Sequence, residues 1–322
     1  MNSMKENLLP AEKFDRKILI KVEEEGKFGI KPENRPVEQI MNYGIINIDK
    51  PKGPTSHQVS DYLQKILHIS KSGHSGTLDP AVTGCLTIAT GKATRIVQAL
   101  LSAGKEYVAL MHLHHEIDTK TIKKAFKKMT GTIRQLPPIK SAVKRQYRYR
   151  KIYYIEILEI EGQDVLFKIG CEAGTYIRKY IHDFGELVGT GAHMQELRRS
   201  KVGPFNEETL VTLQDLTDAY FYWKEEKKED LLRKYIQPIE SATVHLPKVW
   251  VSDSAIKSLV NGASLNIPGV VKLHDQIEPD QMVAVMTLKN ELIALGKSKL
   301  TSKKILEQEK GIAVNISKVF YN

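Results

Sequence analysis

The chain has 322 residues, which exceeds the usual size of a single hydrophobic core and allows two domains. Its hydrophobic content of 41% is ordinary for a globular protein, and it lacks the run of about 18 apolar residues that a membrane span needs. The first residues do not resemble a signal peptide. With only two cysteines, Cys85 and Cys171, a disulfide scaffold is not expected, and a reducing cytoplasm is the simpler location.

The net charge of +10 is distributed unevenly along the chain. Residues 1–40 carry eight basic and eight acidic groups, whereas residues 41–239 carry 30 basic and 22 acidic groups. A basic balance that is concentrated in one segment favours a polyanionic partner, most simply a nucleic acid.

The first regular elements are predicted after residue 40. A short strand covers residues 43–49 and is followed by a breaker run at residues 50–54. A Gly- and Ser-rich loop at residues 70–84 then leads to an apolar strand at residues 85–89. Between them, Thr55 or Ser56 can cap a helix whose apolar residues recur at helical spacing: Val59, Tyr62, Leu63, Ile66 and Leu67.

Strands dominate the prediction from Tyr107 onward. Residues 151–160 and 165–171 alternate in polarity and are joined by a turn-forming run, which predicts a hairpin. Thr175 is the predicted N-cap of a second amphipathic helix, and a charged helix is predicted at residues 220–235.

The composition changes near residue 240. Beyond it, strand-like runs at residues 282–288 and 292–295 flank a predicted two-residue turn at Lys289 and Asn290. The C-terminal part of the chain is therefore predicted to be a small β-rich domain.

A single carboxylate, Asp79, lies among small residues in the run Gly73-His-Ser-Gly-Thr-Leu-Asp-Pro80. Pro80 biases Asp79 toward extended backbone, and the glycines leave room for a bulky substrate near the main chain. This pattern favours a loop that presents one carboxylate to a large ligand. An Asx turn is the alternative, because Asp and Pro both form turns readily.

Arg178 would lie in the first turn of the helix that Thr175 caps. A cation there opposes the helix dipole, at a cost of about 0.3–1 kcal/mol. We expect an acidic group to compensate, either a carboxylate such as Asp79 or an RNA phosphate. An exposed arginine that tolerates this cost is the alternative.

Residues 140–151 are half basic and contain no acidic residue. Their cations can neutralise phosphates while Tyr147 and Tyr149 offer stacking faces, so we predict that this segment binds RNA. A sheet edge protected by charge is the alternative. The predicted RNA-binding residues are Lys140, Lys144, Arg145, Arg148, Arg150 and Lys151.

Histidines cluster before Glu116, but neither a cysteine partner nor helical His spacing accompanies them. A solvated strand end is therefore preferred to a metal site at His112, His114 and His115, and no metal or cofactor is predicted. Cys85 and Cys171 are predicted to be small core residues.

Five blocks of the chain have distinctive residue patterns: residues 44–53, 73–80, 105–107, 174–178 and 195–199. In this order they resemble the motifs of the pseudouridine synthase family that includes bacterial tRNA pseudouridine synthase B and eukaryotic dyskerin. Residues 140–204 are similar to archaeal dyskerin homologues almost throughout, and the chain from residue 246 onward resembles their PUA domain. One departure is Ala81, where these proteins often have lysine.

The resemblance implies an α+β fold. It consists of a catalytic domain around a mixed, mainly antiparallel sheet and a small β-barrel-like PUA domain. The expected division is an N-terminal extension at residues 1–40, the catalytic domain at 41–240 and the PUA domain at 241–322.

The resemblance also implies roles for individual residues. Asp79 is the expected catalytic carboxylate, and Arg178 is expected to pair with it. Tyr107 would stack on the target base. Tyr176 and Leu197 would line the pocket, while His74 and Lys52 would shape the loops around it.

The implied reaction converts uridine to its C-glycoside isomer. Asp79 would act as an ion, either as a nucleophile at the sugar or as a base that removes a sugar proton, and an adjacent Arg178 would keep it charged. The archaeal dyskerin type works with an H/ACA guide RNA, a substrate RNA and small ribonucleoprotein core proteins. A stand-alone tRNA pseudouridine synthase and a non-catalytic RNA-binding scaffold are the alternatives. A glycosidase is disfavoured because it would need a second carboxylate.

Overall fold

Two β-sheets organise the chain. The structure, a computed structural model, describes residues 7–13, 15–101, 103–138 and 143–321. Among these residues a nine-stranded sheet precedes a seven-stranded sheet, apart from one strand of the N-terminal segment that joins the second sheet. None of the helices found in the described ranges is long and apolar enough to cross a membrane.

The strands and α-helices as far as residue 240 alternate irregularly along the chain. They are β1 (Ile18–Ile20), α1 (Val37–Asn42), β2 (Gly44–Lys50), α2 (Ser56–Leu67), β3 (Ser72–His74), β4 (Thr83–Thr90), α3 (Val97–Leu101), β5 (Lys105–Leu113), α4 (Thr119–Lys128), β6 (Gly131–Gln135), β7 (Arg148–Glu161), β8 (Asp164–Cys171), α5 (Ile177–Val188), β9 (Ala192–Val202), α6 (Leu213–Glu226), α7 (Asp230–Tyr235) and β10 (Gln237–Pro238).

Strands are more frequent than helices after residue 240. The elements there are β11 (Lys248–Val251), α8 (Asp253–Val260), β12 (Leu265–Asn266), β13 (Val270–His274), β14 (Met282–Met286), β15 (Leu292–Ser298), α9 (Ser302–Glu307) and β16 (Ile312–Val319). Short 3-10 helices occur at Pro10–Glu12, Pro32–Asn34, Gly91–Ile96, Glu207–Thr209, Ile239–Thr243 and Ile267–Gly269.

The nine-stranded sheet has the order β10-β2-β4-β9-β5-β8-β7-β6, and β3 pairs with β4. All neighbouring strands are antiparallel except β4 and β9. Helices α4 and α5 cover one face of the β5–β8 region, where Phe126 packs against Phe167 and Phe184. This core holds β5 and α5 in fixed positions, and both elements carry predicted site residues.

The seven-stranded sheet has the order β1-β13-β11-β14-β15-β16-β12. Its edge strand β1 comes from the N-terminal segment and pairs antiparallel with β13, so that Ile18 lies opposite His274. The predicted division of the chain at residues 40 and 240 stays a prediction. The pairing of β1 shows that the first 40 residues contain at least one ordered strand.

A shared core joins the two sheets. Ile45 and Phe205 from the first part of the chain pack in one cluster with Trp250 and Phe320 from the second part. Next to it, the buried Arg35 guanidinium donates two hydrogen bonds of 2.8 Å to Glu240 and lies 3.5 Å from Glu291. A buried charge is stable only when it is paired in this way.

Most predicted elements are confirmed, including the mainly antiparallel mixed sheet of the α+β fold. The first strand runs over Gly44–Lys50, and the hairpin is β7 and β8 with its turn at Gly162. Thr55 caps α2, because its side chain accepts a hydrogen bond from the Gln58 amide and Gln58 bonds back. The loop predicted at residues 70–84 also contains the short strand β3.

Three local predictions were wrong. Thr175 does not cap α5; its hydroxyl donates to the Glu172 carbonyl at 2.6 Å, and Tyr176 occupies the N-cap position. The helix predicted at residues 220–235 is two helices, because Lys227 adopts the left-handed conformation that ends α6. The turn predicted at two residues spans residues 287–291, with Asn290 left-handed and bonded to the Thr287 carbonyl.

Candidate active site

Asp79 lies in the loop that connects β3 to β4. The backbone around it is held on both sides: the Val82 amide donates to the Asp79 carbonyl at 3.0 Å, and the Gly53 amide donates to the Pro80 carbonyl at 2.9 Å. The buried Ser56 hydroxyl accepts from the Leu78 amide at 2.8 Å. These bonds fix the loop while the Asp79 side chain stays 55% exposed.

The Asp79 carboxylate pairs with Arg178. The Arg178 Nη2 lies 2.6 Å from Asp79 Oδ2, although the two residues are 99 positions apart in the chain. Arg178 is the second residue of α5, so it stays in the first helical turn even though Tyr176 rather than Thr175 is the N-cap. The sequence predicted that either a carboxylate or an RNA phosphate compensates the Arg178 charge, and in the structure the Asp79 carboxylate does so. Within the described residues the carboxylate makes no bond to its own backbone, so an Asx turn is not formed.

Lys50 supports the loop and was not predicted as a site residue. It is fully buried, and its Nζ donates to the carbonyls of Pro51 at 2.9 Å, Pro80 at 3.2 Å and Val82 at 2.9 Å. Burial lowers the pKa of Lys50, and the nearby Asp79 carboxylate opposes this effect. A lysine at the end of an apolar strand and directly before a proline was the available sequence signal. The predicted Lys52 lies two residues further on with an exposed side chain.

Arg199 is a second buried cation that sequence reasoning missed. Its Nε donates to the Cys85 carbonyl at 2.7 Å and its Nη2 donates to the Gly76 carbonyl at 3.2 Å, so it ties β4 to the loop. Only 1% of Arg199 is exposed. It belongs to the block at residues 195–199, in which Leu197 alone was assigned a role.

Tyr107 lies on β5 opposite Arg199 on β9. Its side chain is buried, and burial raises the pKa of its hydroxyl, an effect that the neighbouring Arg199 opposes by charge and by a hydrogen bond. The Asp79 carboxylate is close enough to contribute to the same rise. Leu78, the residue before Asp79, packs in the same core cluster as Tyr107.

His74 occupies the end of β3 and is half-buried. Burial lowers the pKa of His74, and the charges of His57 and Arg199 lower it further. The His57 and His74 rings meet edge to face, with their centroids 5.0 Å apart. In the described residues no partner bonds to the buried His74 Nδ1 or to the buried Ser75 hydroxyl. The loop therefore carries two buried polar atoms that no described residue satisfies.

Tyr176 is the N-cap residue of α5, and Leu197 lies on β9. The backbone of Tyr176 is fixed by Gln135, which accepts from its amide at 3.1 Å and donates to its carbonyl at 3.2 Å. Leu197 is half-buried and packs on the cluster that contains Tyr107 and Ile177. Ala81, the departure from the expected lysine, is exposed next to Pro80.

The predicted RNA-binding segment adjoins the site through Gln135, which lies opposite Arg148 in the sheet. Lys144 and Arg145 are exposed outside the strands, and Lys140 lies outside the described residues. The Arg134 guanidinium lies 3.9 Å from the centre of the Tyr147 ring. Arg148, Arg150 and Lys151 begin β7.

The terminal strand of the sheet is β6, and residues 148–151 of β7 are unpaired with β8 on their other side, so the charged-edge alternative remains open for this stretch. Residues 148–151 pair with β6 on one side, and regular pairing of β7 with β8 begins only at Ile152. Tyr147 and Tyr149 are 59% and 68% exposed. Two exposed tyrosine rings beside arginines suit stacking on bases.

The histidine cluster forms no metal site in the part of the chain that the structure describes, where no group of three or more His, Cys, Asp or Glu side chains could hold an ion. His112 Nδ1 bonds instead to Asp164 at 2.7 Å, and His114 Nε2 lies 3.2 Å from His193 Nδ1. Cys85 and Cys171 are buried as predicted, and burial raises the pKa of each thiol to about 12.

Comparisons with known families match almost the whole chain. Residues 64–177 match the TruB family pseudouridylate synthase (N terminal domain), and residues 178–244 match the tRNA pseudouridylate synthase B C-terminal domain. A PUA domain matches residues 247–320, and a DKCLD domain matches residues 9–60.

Individual relatives are similar over the same length. The "Probable tRNA pseudouridine synthase B" of Thermococcus gammatolerans is 56% identical over 97% of this chain and 95% of its own, and that of Pyrococcus furiosus is 56% identical over 97% and 93%.

Two solved structures have nearly the same fold as this chain. A chain of a Cbf5-Nop10-Gar1 complex matches with a TM-score of 0.92 and 55% identity over 98% of this chain and 96% of its own. A chain of an H/ACA RNP bound to a substrate RNA containing 2'-deoxyuridine matches with a TM-score of 0.91 and 53% identity over 98% and 97%.

Proposed function

We propose that this chain, which belongs to the TruB family of pseudouridylate synthases and is therefore a pseudouridine synthase, acts in an H/ACA ribonucleoprotein, where a guide RNA selects the uridine. The observation that carries the catalytic assignment is the Asp79–Arg178 pair, 2.6 Å apart on a fixed loop beside Tyr107. The guide-dependent assignment rests on the full-length match to chains from a Cbf5-Nop10-Gar1 complex and from an H/ACA RNP with substrate RNA.

Asp79 is proposed as the catalytic carboxylate. Its exposed side chain can reach a nucleotide that has left its stack, and Arg178 holds the carboxylate in one orientation. Two buried cations hold the loop backbone in place. Lys50 donates to the carbonyls of Pro80 and Val82, and Arg199 donates to the carbonyl of Gly76. The substrate does not have to order the loop when it binds.

The other site residues are proposed to receive the base. Tyr107 would stack on the extruded uracil, with Tyr176 and Leu197 completing the pocket walls, and His74 and Lys52 would contact the RNA around it. The unpartnered Nδ1 of His74 supports this role, since an orphaned buried polar group is costly unless a ligand satisfies it.

The reaction conserves all atoms of the nucleotide. The bond between N1 and the sugar C1′ breaks, the uracil turns within the pocket, and a bond forms between C5 and C1′. The proton on C5 must then leave while N1 gains one. Asp79 would start this sequence, either by attacking the sugar or by removing a sugar proton, and a closed aromatic pocket would keep the free uracil from escaping.

RNA outside the pocket is proposed to bind the basic segment. Lys140, Lys144, Arg145, Arg148, Arg150 and Lys151 are assigned to phosphate contacts, with Tyr147 and Tyr149 available for stacking. The PUA domain, proposed at residues 241–322, would grip the guide RNA, and residues 41–240 would form the catalytic domain. We also propose that the chain assembles with the small core proteins of the H/ACA particle and that it works in the cytoplasm.

Tritium release from RNA labelled at uridine C5 tests the function. We expect release by the wild-type chain when guide RNA and partner proteins are present, and none by Asp79→Asn, which keeps the size of the side chain but loses its charge. Release without a guide would favour a stand-alone tRNA enzyme. Equal background release by both proteins, with RNA binding intact, would favour a non-catalytic scaffold.

A further inference from the structure

We propose that helix α4 is a second RNA-binding surface, which holds the phosphate backbone of RNA outside the target nucleotide. This helix, Thr119–Lys128, buries Ile122, Ala125 and Phe126 against the core of the nine-stranded sheet. Its opposite face consists of lysines whose side chains are all exposed: Lys120, Lys123, Lys124, Lys127 and Lys128.

The five lysines form one stripe along the helix. Their spacing of three, four, seven and eight residues places them on a single face, and the stripe is about 12 Å long at 1.5 Å per residue. Double-stranded DNA carries one charge per roughly 1.7 Å of its axis, and RNA likewise has one phosphate for each nucleotide. A stripe of this length can therefore meet several phosphates at once.

The stripe has no internal charge compensation. Neighbouring like charges at three- and four-residue spacing destabilise a helix, and α4 itself contains no acidic residue. Two lysines on other helices are paired at four-residue spacing, Lys179 with Asp183 and Lys303 with Glu307. Within the described residues none of the five α4 lysines forms an ion pair.

The acidic residues closest in sequence do not neutralise the stripe. Asp118 is the N-cap of α4, and its carboxylate accepts hydrogen bonds from the amide and hydroxyl of Thr121. Glu116 lies before the helix begins. On α5, Asp183 is paired with Lys179. The positive charge of α4 therefore faces solvent and can attract an anionic partner.

Helix α4 packs against α5, the helix whose first turn carries Arg178. The Phe126 ring on the buried face of α4 is 4.6 Å from the ring of Phe184 on α5. The chain continues from α4 into β6, whose Gln135 holds the backbone of Tyr176. In the proposed arrangement, RNA that places a uridine at Asp79 continues past α5 to the stripe.

The side chains of the stripe suit RNA better than a protein partner. Protein interfaces are depleted in lysine and enriched in aromatic residues at their centre, whereas the exposed positions of α4 hold only lysine and threonine. Lysine binds phosphate as a point charge and does not require a planar partner. This inference rests on the proposed function, because that function supplies the RNA.

The test compares three triple variants of the full chain. A neutral variant carries Lys120→Gln, Lys124→Gln and Lys128→Gln, and a second variant carries Arg at the same positions and keeps the charge. Lys, Arg and Gln have similar helix propensity, so α4 should stay folded in both. The matched control removes three exposed lysines that lie next to acidic residues: Lys224→Gln, Lys227→Gln and Lys228→Gln.

Binding of each protein to a guide RNA annealed to its substrate strand is measured at several salt concentrations. Loss of three phosphate contacts should flatten the slope of log K against log salt by about 2 to 3. Between about 50 and 200 mM salt, the wild-type affinity should then fall about 15- to 60-fold more than that of the neutral variant. The Arg variant and the control should keep the wild-type slope.

Several outcomes would overturn the proposal. The neutral variant could keep the wild-type slope, or the control could flatten it equally. The neutral variant could also bind RNA normally but lose an acidic partner protein, which would assign α4 to protein binding. The neutral variant should unfold at an equal or higher temperature than the wild type, because like-charge repulsion is removed. If it unfolds at a lower temperature and the Arg variant loses the same amount of salt slope, the effect is due to misfolding and not to lost phosphate contacts.

Tritium release separates this proposal from the proposed function. At saturating protein, the neutral variant should release tritium as fast as the wild type, since α4 does not touch the reacting atoms. If the wild type releases none while the salt slopes still differ, the isomerase assignment fails and the RNA-binding surface stands.

Discussion

Replacing Arg178 with alanine should separate catalysis from stability at the candidate active site. The Asp79–Arg178 pair is 55% and 59% exposed, and exposed ion pairs contribute only about 0–1 kcal/mol to the free energy of unfolding. The Arg178 charge also interacts unfavourably with the dipole of α5, so removing it should raise the free energy of unfolding by about 0.3–1 kcal/mol. The two effects nearly cancel, and we expect the free energy of unfolding to change by less than about 1 kcal/mol.

The same substitution should slow the reaction strongly. Without Arg178 the Asp79 carboxylate can rotate away from the sugar, and misplacement by about 1 Å typically costs about 100-fold in rate. Single-turnover tritium release at saturating protein measures this loss without a contribution from binding. Arg178→Lys is the matched control, because it keeps the charge but lacks the planar fork of the guanidinium, and an intermediate rate is expected.

The reasoning would be refuted by either of two results. A loss of more than about 2 kcal/mol in the free energy of unfolding would exceed what an exposed pair supplies and would make Arg178 a structural residue. A wild-type rate in Arg178→Ala would show that Asp79 needs no partner, and the pair would then be an incidental surface contact.

Three further predictions concern other parts of the chain. Replacing Arg145, Arg148 and Arg150 with alanine should flatten the salt dependence of RNA binding by about 2 to 3 in slope; an unchanged slope would make the segment a charged strand only. Burial lowers the pKa of Lys105 from 10.5 to about 8, so the unfolded chain binds more protons between these values. Lys105 should therefore add up to about 3 kcal/mol to the free energy of unfolding across this window. The two buried thiols oppose this rise equally in both proteins, so chemical denaturation should show the wild type gaining stability relative to Lys105→Met as the pH rises, and an equal pH dependence of the two would contradict this. Lys227→Gly should raise the melting temperature slightly, since glycine relieves the cost of about 1–2 kcal/mol of the left-handed φ of 58° and adds only about 0.4–1 kcal/mol of unfolded-chain entropy; a lower value would contradict this.

Local signals and the family resemblance together predicted the Asp79–Arg178 pair. Asp79 stood before a proline among glycines, which favoured a carboxylate presented to a large ligand, and Arg178 had the wrong sign for its helix terminus, which required an acidic partner. That partner could have been Asp79 or an RNA phosphate, and only the resemblance selected Asp79. The capping error at Thr175 did not matter here, since a shift of one residue leaves Arg178 in the first turn of α5.

Features that depend on distant contacts were not predictable in the same way. Lys50 is buried because carbonyls up to 32 positions away surround its ammonium group, and no hydrophobic period reveals such acceptors. The strand β1 forms only because β13 offers it an edge, with Lys272 opposite Ile20. The break at Lys227 was missed because a helix usually ends in glycine or asparagine at this position, and lysine gives no such signal.

The two missed cations explain why the predicted pair can be tested without unfolding the loop. If Asp79 and Arg178 held the loop together, any substitution there would disturb both structure and chemistry. Instead the loop backbone is tied by Lys50 from β2 and by Arg199 from β9, both buried and both bonded to carbonyls. The exposed pair is left to position one carboxylate. Because the buried cations hold the loop and the exposed pair only positions the carboxylate, Arg178→Ala should greatly reduce the reaction rate and hardly change the free energy of unfolding.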